Sequence, residues 1–438
     1  MKNKFAVARL TESSLATIYG CCGIFDLCAD NDIMSLSFQE QEPLLDWIGW
    51  ESSDVCLIKK EFIAWVRPEY SGGAATAGYL ADPCAEPNGI EWGKCDFTLN
   101  DFGRLRRKGP TRDITENDER YCETQPRYRL DGTLITDDRE FDMRWATEII
   151  MQDLKRLLVI GNNTTGGQFD GFERLVKTGY TNSDGKLCQL MDSVVVDWNS
   201  NSLDGGAGVT VNGAAIPATY DFIDVLLDVF RNIRQRIRWS PQLNAQRLRV
   251  GDIVLVMTEQ MTRCLLDAYT CWSVCPGVAF NEANLNTFEA RTFRDNLNGG
   301  MFGAGRIFLD GFEIPLLPYD WELQKGPNRS DVYMLTSRIG NVELLQGQYL
   351  NMNNAGNSYP ESATPYFASD GGRLLTWTVN DETCIERRVE LRPRILSWAP
   401  WTNVRFQDVR CNTPLGPLSP DPTETSFFPL TSFEVAEC

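Results

Sequence analysis

Residues 137–160 carry the pattern that most restricts the fold. Phe141, Trp145, Ile149, Leu154, Leu157 and Leu158 form one apolar stripe at helical spacing. Asp137 and Glu140 supply a capping-box-like start, and Gly161 supplies the C-terminal stop. The spacing predicts one helix of about 36 Å. Its position, just after a long predicted hairpin, gives it meaning. Residues 56–68 (Cys56 to Pro68) read as a strand, and residues 95–107 (Cys95 to Arg107) partly alternate apolar and polar side chains. Between them lies a loop holding Gly72, Gly73, Gly78, Pro83, Pro87, Gly89 and Gly93. The hairpin is far longer than a compact domain needs, and loops of that length usually have a binding task.

The rest of the chain changes texture. Residues 1–52 show weak periodicity and end on apolar patches (Leu44, Leu45, Trp47, Ile48, Trp50), the pattern of an arm that becomes ordered on a neighbour. From 215 to 345 the pattern is mixed α and β. A helix is expected near 221–238 with Asp221 as cap, then the buried strand Ile253 to Met257, then a helix at about 259–270. Residues 306–315 read as two short strands about an Asp-Gly turn, and Asp331 to Ser337 as a further strand. Strand-like segments at 373–379 and 387–397 end a folded unit. The last stretch, 412–438, interleaves Phe427, Phe428 and Phe433 with Pro, Ser and Thr, which fits a tail that docks.

Composition narrows the function. With 438 residues the chain exceeds one typical domain, and 42% hydrophobic content supports a real core. The net charge of −18 argues against a nucleic-acid reader, though not against lying beside DNA without gripping it. Histidine is absent, which removes the commonest general base and metal ligand. No cofactor and no metal site are expected. Paired carboxylates of a histidine-free hydrolase remain conceivable, but Asp137 fits a helix cap, and the adjacent acids Asp381 and Glu382 point apart.

The fourteen cysteines show no paired CxxC spacing. Half fall in the first 122 residues: Cys21, Cys22, Cys28, Cys56, Cys84, Cys95 and Cys122 read as buried thiols or, where they oxidise after leaving the cytosol, as disulfide candidates. Cys271 and Cys275 read as buried thiols rather than a metal site. No apolar run spans a membrane. Lys2, Lys4 and the stretch from Leu15 to Cys21 faintly resemble a lipoprotein signal. Glu12, Ser13 and Ser14 break it, and no signal is expected.

Taken in order, these parts resemble the tailed-phage major capsid proteins of the Hong Kong 97-like fold. The resemblance is carried by Arg144 to Asn162 with Phe169 to Val176, by Gly311 to Pro318, and by Ser337 to Asn351. It implies an α+β chain with an N-terminal arm (1–52), an extended β-hairpin loop (53–110) and a peripheral domain with a long spine helix (111–214). An axial domain (215–345), a return to the peripheral domain (346–411) and a C-terminal tail (412–438) follow. It implies a virion capsid protein, not an enzyme, that assembles into hexamers and pentamers in the host bacterial cytoplasm. Expected partners are further copies of itself, a cement or decoration protein, a portal and a separate scaffolding protein. Packaged double-stranded DNA would lie nearby without specific contact. Candidate inter-subunit contacts are Gly72, Gly73, Tyr79, Trp92, Arg104, Arg106, Arg107, Trp47 and Trp50, the arginines because guanidinium pairs bidentately with carboxylates. Lys59, Lys60 and Lys94 match no Lys–Asn cross-linking arrangement, so interlaced arms are expected rather than covalent chainmail. A cellular nanocompartment shell of the same fold is the alternative.

Overall fold

A computed structural model of the chain describes residues 43–53, 59–64, 93–98, 102–108, 138–164, 168–181, 187–188, 192–240, 243–274, 288–320, 322–326, 328–350, 367–369, 374–381 and 384–411. The arm before residue 43, the hairpin tip and the tail after 411 lie outside the described residues. In chain order, α1 (Pro43–Ile48) and β1 (Trp50–Ser53) come first, then β2 (Lys59–Ala64), β3 (Gly93–Thr98) and β4 (Phe102–Lys108). The long helix α2 (Asp138–Ile160) and the short α3 (Phe172–Leu175) follow. Next come β5 (Val194–Asp197), β6 (Thr210–Val211), β7 (Ala214–Ala215), α4 (Phe222–Trp239), β8 (Ile253–Met257), α5 (Glu259–Val274) and α6 (Phe288–Leu297). Strands β9 (Arg306–Leu309), β10 (Phe312–Pro318), β11 (Gln324–Gly326), β12 (Arg329–Thr336), β13 (Arg338–Ile339), β14 (Val342–Glu343) and β15 (Leu345–Leu350) continue the chain. It closes with β16 (Phe367–Ser369), β17 (Leu374–Asp381), β18 (Cys384–Leu391), β19 (Pro393–Ser397) and β20 (Val404–Arg410).

The chain divides into two units that alternate along the sequence: 1–60, 97–170 and 347–395 form one, and 61–96, 171–346 and 396–438 the other. In the first unit, β16-β17-β18-β4 make an antiparallel sheet, and α2 packs against β18 and β4. The helix buries Ile150, Met151, Leu154, Leu158 and Val159, while Ile149 and Leu157 are only half-buried. The buried positions are therefore rotated by about one residue from the expected stripe, and Lys155 lies among them. Gly161 N–H donates to Leu157 O at 2.9 Å and closes the helix as expected. Asp170 clasps the loop beyond it, accepting from Asn163 N–H at 3.0 Å and from its Nδ2 at 2.6 Å.

A second sheet of this unit sets β15 between β1 and β19. Strand β1 runs parallel to β15 with Trp50 opposite Gly347. A Cβ on Gly347 would meet the Trp50 indole at 2.5 Å, so only glycine lets that ring lie flat on the strand. The Trp50 Nε1–H donates to Leu45 O at 2.9 Å and fixes the ring.

The second unit is built on a nine-stranded sheet whose main path is β7-β6-β5-β20-β12-β8-β10-β9. All five residues of β8 are buried, as its continuous apolar run predicts. Strand β8 pairs antiparallel with β12 and parallel with β10. The hairpin of β9 and β10 turns through Asp310 (φ 49°) and Gly311 (φ 74°), the left-handed pair that an Asp-Gly turn demands. Helix α4 starts with the expected cap: Asp224 N–H donates to Asp221 Oδ1 at 2.8 Å, and the Asp224 carboxylate accepts from Asp221 N–H. Its Phe222 packs between Trp198 (5.2 Å) and Phe406 (4.9 Å) in the core. Cys264 of α5 is disulfide-bonded to Cys411, just past β20, with Cα atoms 5.9 Å apart.

The expected hairpin differs in one respect. Strand β2 pairs with β3, but the second predicted strand breaks after Thr98, and β4 pairs instead with β18. One alternating stretch of sequence thus serves two sheets.

Candidate functional site

The expected contact residues fall in three groups. Gly72, Gly73, Tyr79 and Trp92 lie outside the described residues. Arg104, Arg106 and Arg107 sit on β4, in register with Val389, Arg387 and Glu386 of β18. Trp47 and Trp50 are half-buried, and Trp50 rests on Gly347 of its own chain. Of the candidate disulfide cysteines, Cys95 lies on β3, and Cys21, Cys22, Cys28, Cys56, Cys84 and Cys122 lie outside the described residues. The bond Cys264–Cys411 involves none of them, Cys188 is disulfide-bonded as well, and Cys271 is a buried thiol.

A polar cluster among the described residues of the second unit lies where β12 and β20 slip register between Ser330 and Val332. Asp408 forms the bulge at φ 57°, and its N–H donates to Asp331 Oδ1 at 3.0 Å. Arg405 donates to Asp331 Oδ2 through Nη2 (2.7 Å) and Nε (3.1 Å). The same Nη2 reaches Glu173 Oε1 at 3.0 Å, and Nη1 reaches Glu173 O at 3.2 Å. Lys325 also pairs with the Glu173 carboxylate and lies 3.9 Å from Asp331 Oδ2. The Arg405 guanidinium covers the Tyr333 ring at 5.7 Å. Burial pushes the Tyr333 phenol well above its ordinary pKa. Burial opposes the charge of Arg405, but Tyr333, Asp331 and Glu173 outweigh it and raise its pKa. The two carboxylates and two cations neutralise one another, so the cluster acts as a clamp that holds α3 to the sheet.

A groove lies beside α4. Val194, Val211, Ile216, Tyr220, Val225 and Val229 make its apolar lining, with Asn212, Asp228, Asn232 and Arg236 among the polar positions, around a cavity of about 210 Å³. The neighbouring edge strand β7 exposes Ala214 and Ala215. The charge around this helix is segregated. Residues 187–230 hold six aspartates and no lysine or arginine, whereas residues 231–249 hold six arginines and no acid. The order suits the helix dipole, negative charge at the N-terminus and positive charge at the C-terminus.

Elsewhere in the unit, Arg294 of α6 pairs with Asp267 of α5 at 2.8 Å. Burial raises the Asp267 pKa above 3.8, and Arg294 only partly offsets it. A carboxyl with a raised folded pKa favours the fold when protonated, and that contribution falls as pH rises from 3.8 through the folded value. Asp267→Asn is therefore expected to flatten this slope. In urea unfolding, the variant should gain relative to wild type as pH rises above about 4.

Among the described residues no group of three or more Cys, Asp and Glu is placed to hold a metal ion, and no helix is long and apolar enough to cross a membrane. Sequence reasoning did not find the clamp or the groove. The clamp joins residues from 173 to 405 without a local signal, whereas the charge reversal at residue 231 was open to reading.

No protein-family model and no curated protein matches the sequence. Among solved structures, the chain is similar to a cyanophage A-1(L) capsid chain at 12% identity and a TM-score of 0.49, covering 84% of this chain and 92% of that one. It is similar to the encapsulin SrpI of Synechococcus elongatus PCC 7942 at 11% identity and a TM-score of 0.44, covering 85% and 90%. A virus-like particle protein of Pyrococcus furiosus shows 9% identity and a TM-score of 0.36, covering 87% and 99%. Identities this low carry no residue-by-residue correspondence. The described elements are α+β throughout and run in the order two-stranded ribbon, long helix, inserted mixed unit, returning strands.

Proposed function

We propose that this chain is the major capsid protein of a tailed bacteriophage, assembling into hexamers and pentamers around double-stranded DNA. The observation that carries the reading is the chain order around α2. A ribbon (β2 with β3) precedes a helix of 23 residues laid on a sheet that the chain completes only after an inserted unit. A two-stranded ribbon and an N-terminal arm of this kind have a use when neighbouring copies receive them. Many modest contacts then add through multivalency. Residues 215–345 serve as the axial domain, and α2 with residues 346–411 as the peripheral domain. Gly72, Gly73, Tyr79, Trp92, Arg104, Arg106, Arg107, Trp47 and Trp50 are the contact positions to test first. A decoration protein, a portal and a separate scaffolding protein complete the set of partners, in a virion built in the host cytoplasm.

Electron microscopy of the native assembly tests the reading. Icosahedral particles tens of nanometres across that contain DNA are the expected result. Small shells loaded with a protein cargo would establish the nanocompartment alternative instead. A soluble monomer that forms no particle would overturn both.

A further inference from the structure

Residues 298–305, between α6 and β9, fold into a hydrogen-bonded knob. Gly299, Gly300, Gly303 and Gly305 all have positive φ (97°, 81°, 72° and 117°), a path that glycine alone follows at no steric cost. Gly305 N–H donates to Gly299 O at 2.7 Å and Gly303 N–H to Gly300 O at 3.3 Å, which closes the loop on itself. Within the knob, Met301 is 56% exposed. It rests on Gly251, where a Cβ would meet its Sδ at 2.8 Å. Val250, 49% exposed, widens the apolar spot. Exposed arginines border it. Arg247 and Arg249 lead up to Val250, and Arg338 Nε lies 3.4 Å from Asp252 Oδ1. The acids at this border are Asp252, which is buried, and Glu343, opposite Arg338 in the β13–β14 pair.

The groove beside α4 has the opposite character. It is a recess, and at about 210 Å³ it is smaller than the ~300 Å³ at which ordinary ligand sites begin. Asp228 and Arg236 are its charged lining positions, and the segment around it, 187–230, carries six aspartates and no lysine or arginine. It also lies toward the other end of the sheet. Val194 and Val211 place it on β5 and β6, and four strands (β20, β12, β8 and β10) separate β5 from β9.

We infer that Met301 of one copy of this chain inserts into the α4 groove of the next, so that copies meet head to tail through two different faces. A contact of this heterologous kind generates a ring when its rotation closes, as a hexamer or a pentamer requires. Methionine suits the role, because its unbranched side chain adapts to irregular apolar gaps. Charge selects a second copy as the occupant. The arginines beside the knob approach the aspartates around the groove, whereas knob on knob or groove on groove would set like charges together. The inference rests on the reading that copies of this chain assemble into a capsid, and it names one pair of surfaces through which they do so.

The test is a photo-reactive benzophenone amino acid in place of Met301 in the full-length chain, illuminated in assembled particles and mapped by mass spectrometry. Met301 is exposed, so the substitution spares the core. The expected result is an interchain adduct joining position 301 of one copy to the groove segments within 194–236 of another. Asn232 lines the groove from an exposed helix position, so Asn232→Trp fills the recess without disturbing the core. It should lower the adduct yield about tenfold, and Asp228→Arg should lower it about threefold. A yield that neither variant lowers would overturn the inference. So would adducts to residues 298–305 of another copy, which mark a two-fold contact, or to the segment around Phe427, Phe428 and Phe433, which mark the tail as the partner of the knob. Particles that form normally without any interchain adduct would sink the knob-and-groove contact while leaving the capsid reading intact. Absence of particles in the parent chain would sink the capsid reading itself.

Discussion

Arg405→Met is expected to destabilise the second unit by about 3–5 kcal/mol, the usual cost of removing one member of a buried ion pair. Asp331 has 2% of its side chain exposed and would be left with Lys325 at 3.9 Å and the Asp408 N–H. The loss comes mainly from stranding that carboxylate, not from the strength of the pair. Replacing both partners, as Arg405→Met with Asp331→Leu, should therefore recover part of the stability. Arg405→Lys should not rescue fully, since an ammonium cannot bridge Asp331 and Glu173 with the planar fork that now reaches both. Urea unfolding midpoints of the four chains measure this. A double variant worse than Arg405→Met alone would show that the clamp contributes net stability.

Reduction of the Cys264–Cys411 bond should lower stability by about 2–4 kcal/mol. The two cysteines are 147 residues apart, and in the chain-entropy view longer closed loops lose more freedom in the unfolded state. Cys411 marks the end of the described chain and holds its N–H to Asn328 O at 2.8 Å, so the bond ties the last strand to α5. Cys411→Ser should start less stable by a similar amount and respond less to reductant than wild type. Equal thermal shifts on reduction of the two chains would show that this bond contributes nothing.

Periodicity made the local elements readable. Helix α4 begins at its capping aspartate, β8 is the buried run its sequence describes, and the Asp310–Gly311 turn joins the expected strands. Helix α5 was expected to stop near residue 270 and runs to Val274, while α6 carried too weak a stripe to be expected at all. What sequence could not disclose is pairing at a distance. Nothing near Phe102 says that β4 leaves β3 and joins a strand beginning at Cys384. Cysteine crowding drew attention to the first 122 residues, whereas Cys264 and Cys411 carry no neighbouring signal. The clamp is likewise invisible, because Glu173, Asp331 and Arg405 meet only once the register slip between β12 and β20 exists.

The alternation of the two units along the chain has a consequence in time. Lys108 of β4 finds its partner, Ile385, only when some 280 further residues have left the ribosome. At about 5–20 residues per second, that is a wait on the order of tens of seconds. During it β4 has an open edge, and the surface on which α2 will lie is unfinished. The inserted unit also waits for β20, its inner strand, until residue 410 has been made. Folding is thus deferred for both units to nearly the same moment. A nascent chain of this design presents unpaired strands and an uncovered helix throughout its making, so its yield should depend on whatever shields such surfaces in the cell.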